Sequence, residues 1–140
     1  MAMCGCSASP RWVESMHHKT LMTASLLACV GVLLGAFGAH GLRDQITPQM
    51  LATWNTAVTY QMWHALGLGL IALQGGQSAT LVWSGRLMTA GIVLFSGSLY
   101  LLVLSDIRIL GIITPFGGLS FIAAWALLAW HGYQHMKKPA

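Results

Sequence analysis

Between Lys19 and Arg43 the chain runs for 23 residues, TLMTASLLACVGVLLGAFGAHGL, without a charged side chain. A helix needs about 20 apolar residues to cross the hydrocarbon core of a bilayer, so this run at 20–42 is long enough to span. Three more runs follow. The second, at about 53–73, begins polar (TWNTAVTYQ) and ends apolar (MWHALGLGLIAL). The third, 87–104, follows Arg86 and stops at Ser105 and Asp106. The fourth, at about 110–133, lies between Arg108 and Lys137. Lipid offers no partner for backbone polar groups, so each run is expected to be helical.

Composition agrees with a membrane solvent. Charged residues make up only 7% of the 140, too few to clothe a soluble surface, where about 25% is ordinary. The expected fold is therefore all-α: an integral membrane four-helix bundle of antiparallel spans with short loops. The lipid bilayer is its first partner. A net charge of +4 gives no basis for nucleic-acid binding, because the seven basic residues are scattered and sit beside apolar runs, where lysine and arginine meet headgroups.

Four spans place both termini on one side, together with Arg11, Lys19, Arg86, Lys137 and Lys138. Arg43 and Arg108 lie on the other. The positive-inside rule puts the termini in the cytoplasm. Residues 1–18 read as a short tail, or in part as an extension ahead of a start at Met16, and 136–140 as a basic tail. A lipoprotein signal ending at Leu27-Ala28-Cys29 is disfavoured, because the apolar segment continues past Cys29 to Leu42. Cys4 and Cys6 are too few for a disulfide framework or a usual metal site.

Within the first run Ala24, Ala28, Gly31, Gly35 and Gly38 are spaced 4, 3, 4 and 3. That is the seam period of a left-handed helix pair, filled with side chains small enough for close approach in a membrane. Gly41 is followed by Leu42 and Arg43 and lacks the Lys-Ser/Thr of a phosphate loop. Its expected role is a left-handed helix cap. Thr114-Pro115 reads as an N-cap with proline in the first turn, the alternative being a helix kinked at Pro115. The stretch 74–85, QGGQSATLVWSG, reads as the clearest turn.

Polar residues inside the runs are few. His64 shares a helix face with Tyr60 and Thr56, and ionisable groups in a span deserve a functional hypothesis. Gln61 lies beside them, and Ser96, Gly97 and Ser98 precede Tyr100 in the third run. His40 falls in the last turn of the first run. It and His64 differ in expected depth by roughly 10 Å, which does not suit two ligands of one haem. The acids Glu14, Asp44 and Asp106 all lie outside the runs. The residues therefore yield no catalytic set, no cofactor and no metal site.

GAFGAHGL (35–42), TAVTYQMWHALGL (56–68), LFSGSLYLL (94–102) and ITPFGG (113–118) resemble the YgdD/YwdK-like family of small membrane proteins, domain of unknown function family 423. The resemblance covers about 19–133. It implies a four-span protein of the bacterial inner (plasma) membrane and no established activity, substrate or cofactor. Its motif positions here include Gly35, Gly38, His40, Gly41, Tyr60, Gln61, His64, Ser96, Gly97, Ser98, Thr114, Pro115, Gly117 and Gly118.

The expected function is non-enzymatic: a structural or accessory subunit packing through small-residue helix faces, as a homo-oligomer or with another membrane protein. The alternative is a small oligomeric transporter or channel, its polar path lined by Tyr60, His64, Ser96 and Ser98.

Overall fold

The computed structural model describes residues 11–74 and 78–136, with side chains from His18 onward. Cys4, Cys6, the Gly75-Gly76 turn and the basic residues Lys137 and Lys138 lie outside the described residues. The chain is all helical through four long elements: α1 (Arg11–Phe37), α2 (Pro48–Leu73), α3 (Ala79–Ser105) and α4 (Thr114–Met136). Three segments are long and apolar enough to cross a membrane: His18–Leu42, Ala79–Ser105 and Arg108–Met136. α2 is of similar length and lies between α1 and α3, packing on both, while α4 packs mainly on α3.

Helix boundaries follow local chemistry, and several differ from the sequence reading. α1 begins at Arg11, so residues 11–18 extend the first helix rather than forming a separate tail. It continues into a wide π-helical turn, Gly38–Leu42. Gly41 lies inside that turn and is not a left-handed cap; the backbone there has no positive φ. A Cβ at Gly41 would instead meet the ring of Phe37 at 2.8 Å, so its bareness lets that ring fold over the turn.

α2 starts five residues before the expected 53, because Thr47 caps it by accepting from the Met50 N–H at 3.3 Å, with Pro48 in the first turn. That satisfies one of the orphan donors of a helix N-terminus.

The largest correction is at 74–85. Only its beginning is a connection: Ser78 caps α3, accepting from the Leu81 N–H at 3.2 Å, and 79–85 is helix. The small residues that read as turn formers are packing residues. Ser84 is fully buried, and Gly85 is buried with Leu68 and Ile71 just beyond the space a Cβ would take.

α3 ends at Asp106, whose φ of 55° is the single left-handed conformation among described non-glycine residues. A tight 3-10 turn, Arg108–Ile112, then leads to α4. The fourth run is thus broken before Thr114 rather than kinked at Pro115, and Pro115 sits in the first turn. The Thr114 side chain does not cap that turn; its hydroxyl bonds α3.

Two apolar clusters lie along the bundle. Leu68, Ile71, Leu81, Met88, Ala24 and Ala124 close the end near the α2–α3 connection. Leu42, Trp54 and Val103 close the opposite end. The outward faces carry large apolar side chains, among them Leu66, Val93 and Ile122.

Candidate functional site

The seam of α1 is spent inside the chain. A Cβ on Gly31 would lie 2.6 Å from Met62 Sδ, one on Gly35 3.4 Å from Val58 Cγ1, and one on Gly38 2.5 Å from Trp54 Cδ1. The small stripe therefore brings α1 onto α2, with Trp54 filling the hollow at Gly38. The Trp54 indole N–H donates to the Leu34 carbonyl at 2.9 Å, fixing the ring in that hollow.

Two helical turns further along α2, Gln61 repeats the arrangement. Its amide nitrogen donates to the Leu27 carbonyl at 2.8 Å, and its amide oxygen accepts from the Tyr100 hydroxyl at 2.9 Å. One buried side chain thus joins α1, α2 and α3. Tyr100 also tilts against Trp54 at a ring separation of 4.7 Å, linking the two sites.

The serines act in the same way across the other interfaces. Ser96 is buried and donates to the Ala57 carbonyl of α2 at 2.8 Å. Ser98 donates to the Phe95 carbonyl of its own helix at 2.9 Å. With that proton committed, the Thr114 hydroxyl donates to Ser98 across 2.8 Å, tying the start of α4 to α3. Ser84 donates to the Ala124 carbonyl at 2.8 Å. Such bonds satisfy polar groups that lipid would leave bare.

Glycines set the spacing between α3 and α4. A Cβ at Gly117 would lie 2.5 Å from the backbone nitrogen of Phe95, and one at Gly91 2.5 Å from the Phe121 ring. Gly118 is looser, with Phe95 Cδ2 at 4.0 Å, and Gly97 faces open space.

Between these interfaces lies an aromatic stack. The His64 ring lies on Phe121 at a centroid distance of 3.4 Å, and Tyr60 lies on Phe95 at 4.3 Å. His64 is buried. Its Nδ1 is 2.6 Å from the Tyr60 carbonyl, which can only accept, so Nδ1 carries the proton. That assignment leaves the lone pair on Nε2, with no hydrogen-bond partner among the described residues. Tyr60 is half-exposed beside it.

His40 stays apart, exposed on the π-helical turn. The structure does not bring it to His64. At the other end, His131 is buried with Nδ1 2.8 Å from Ser78 Oγ and its ring 4.4 Å from His135. No group of three or more potential metal ligands occurs among the described residues.

Sequence reasoning missed Trp54, Ser84, Gly91, Phe95 and Phe121. Trp54 stood in a polar stretch, and its signal was the placement of a large ring one helix away from a glycine seam. Gly91 and Phe121 carried no signal, since a glycine or phenylalanine in an apolar run shows nothing of what faces it.

The comparisons with known proteins agree with a membrane protein. The UPF0382 membrane protein SH2409 of Staphylococcus haemolyticus is 48% identical over 109 residues, covering 77% of this chain and 89% of that relative. The UPF0382 membrane protein YwdK of Bacillus subtilis is 49% identical over 113 residues, covering 77% and 90%. No solved structure matches. The profile of the family described as "Protein of unknown function (DUF423)" matches residues 34–118. This membrane protein belongs to the DUF423 family.

Proposed function

We propose that the chain is a four-span, non-enzymatic protein of the bacterial plasma membrane, with both termini cytoplasmic, serving as a structural or accessory subunit. The observation that carries this reading is the use made of the buried polar side chains. Gln61, Ser84 and Ser96 each hold a carbonyl of a neighbouring helix. Ser98 accepts from Thr114, and Trp54 donates to Leu34. Their hydrogen-bonding capacity fastens helices together, which supports a scaffold over a polar path through Ser96 and Ser98.

A spanning α2 is supported by its 26 residues, about 39 Å of helix, and by its position between two apolar helices. Gln61 and Trp54 each donate to a carbonyl of α1, and Gln61 also accepts from Tyr100 of α3. Orientation rests on Arg11, Lys19, Arg86, Lys137 and Lys138 against Arg43 and Arg108. Because the glycine seam of α1 is occupied by α2, association uses the outward faces that carry Trp63, Leu66 and Ile122, all exposed.

Photocrosslinking in native membranes tests the subunit role. A photoreactive residue at 63, 66 or 122 is expected to give a discrete adduct at some positions and none at others. Uncrosslinked monomer at every position contradicts the proposal.

A further inference from the structure

A groove of about 680 Å³ opens on the side of the bundle between α1 and α3, with α2 as its floor. Leu68, Ile71 and Ala72 form the floor; Ala90, Val93 and Leu94 line the α3 wall. The volume falls within the range of small-molecule sites, about 300–1,000 Å³. Along α3 it reaches from Leu81 to Leu94, about 20 Å of helix, more than the roughly 15 Å depth of one leaflet of a 30 Å core. α1 and α3 both have the length and apolarity to cross a membrane, so the groove opens toward acyl chains.

The charged residue in its lining is basic. Arg86 lines the wall, and its guanidinium bends back over the Trp83 ring at 5.3 Å, toward the N-terminal end of α3. That is how an arginine reaches the headgroup level from a membrane helix. Across the groove, Thr20 and Thr23 line α1. Thr23 donates to the Lys19 carbonyl, and Lys19, one turn nearer the helix end, shares its face. Arg86 is thus the cation of the lining and Lys19 lies one turn beyond Thr23 on α1, with Glu14 further toward the N-terminus of α1 and Asp44 and Asp106 at the opposite ends of α1 and α3.

We propose that this groove binds an anionic phospholipid, its phosphate between Arg86 and Lys19 and an acyl chain on the α2 floor. Arg86 on the α3 wall, Lys19 just beyond the threonines of the α1 wall, and an apolar trough the depth of a leaflet match the two parts of that ligand. A soluble anion would gain nothing from the trough, and a neutral lipid nothing from the cations.

The test uses the full chain in mild detergent, with phosphatidylglycerol or phosphatidylcholine added and binding read by native mass spectrometry and thermal unfolding. Phosphatidylglycerol is expected to remain bound and raise the unfolding temperature more than phosphatidylcholine. Arg86→Gln is expected to weaken phosphatidylglycerol about fivefold, the effect of one basic residue near a membrane surface. Ala90→Trp fills the trough from an exposed position and is expected to remove binding of both lipids. Equal binding of the two lipids, or wild-type binding by both variants, overturns the proposal. A stabilisation reproduced by inorganic phosphate alone overturns it as well, since the occupant would then be a free anion.

Discussion

The Tyr100 hydroxyl donates to the Gln61 amide oxygen at 2.9 Å, while the amide nitrogen of Gln61 donates to the Leu27 carbonyl of α1. Three helices meet on one buried side chain. Hydrogen bonds between membrane helices average about 0.6 kcal/mol in double-mutant cycles and reach about 1.7 kcal/mol. A cycle of Gln61→Leu and Tyr100→Phe should therefore give a coupling of about 0.5–1.7 kcal/mol. Gln61→Leu alone should cost more than Tyr100→Phe, because it breaks two bonds and leaves the half-buried Tyr100 hydroxyl without that partner. Equilibrium unfolding in mixed micelles measures all three variants.

Glycine replacements should separate by what each Cβ meets. Gly117→Ala drives a methyl against the Phe95 backbone and should be the most harmful, costing about 1–3 kcal/mol. Gly38→Ala meets the side chain of Trp54 rather than backbone and should cost less. Gly97→Ala meets nothing within 4 Å and should be neutral or stabilising, since alanine is favoured in a helix by up to about 1 kcal/mol. Thermal unfolding of the three variants checks the order.

His64 should behave as a packed ring. Its face lies on Phe121 and it makes one backbone bond, to Tyr60. His64→Phe keeps the stack and should cost under about 1.5 kcal/mol, the usual limit for a shape-conserving exchange. His64→Ala empties the space and should cost about 2–4 kcal/mol, in the range of large-to-small changes. Equal losses from both would assign the stability to the hydrogen bond.

How far the fold was legible depended on what each residue reveals alone. Charge-free length marked the four helices, and the 4-3-4-3 spacing of Ala24 to Gly38 marked the seam that packs on α2. Boundaries were less legible, because small polar residues suit both turns and close helix contacts. Ser84 and Gly85 read as turn residues and prove to be contact residues of α3, since burial by α2 and α4 is decided by tertiary packing. Thr114 shows the same ambiguity: a hydroxyl before proline suits a cap, yet Ser98 on the neighbouring helix takes it. The polar motif residues were visible as a set, but the partners of Gln61 and Ser96 at Leu27 and Ala57 are backbone carbonyls, which leave no trace in side-chain pattern.

The central claim is that the motif serines and Gln61 lie in dry contacts between helices. It is tested most directly by water accessibility. In a chain with Cys4, Cys6 and Cys29 replaced by alanine, Ser96→Cys and Ser98→Cys can be probed with a charged, membrane-impermeant thiol reagent applied from either face, with Asp106→Cys as the exposed control. The account predicts rapid labelling at 106 and none at 96 or 98 until the protein is unfolded. Labelling of 96 and 98 in the folded protein would contradict it and place those serines on a water-filled path.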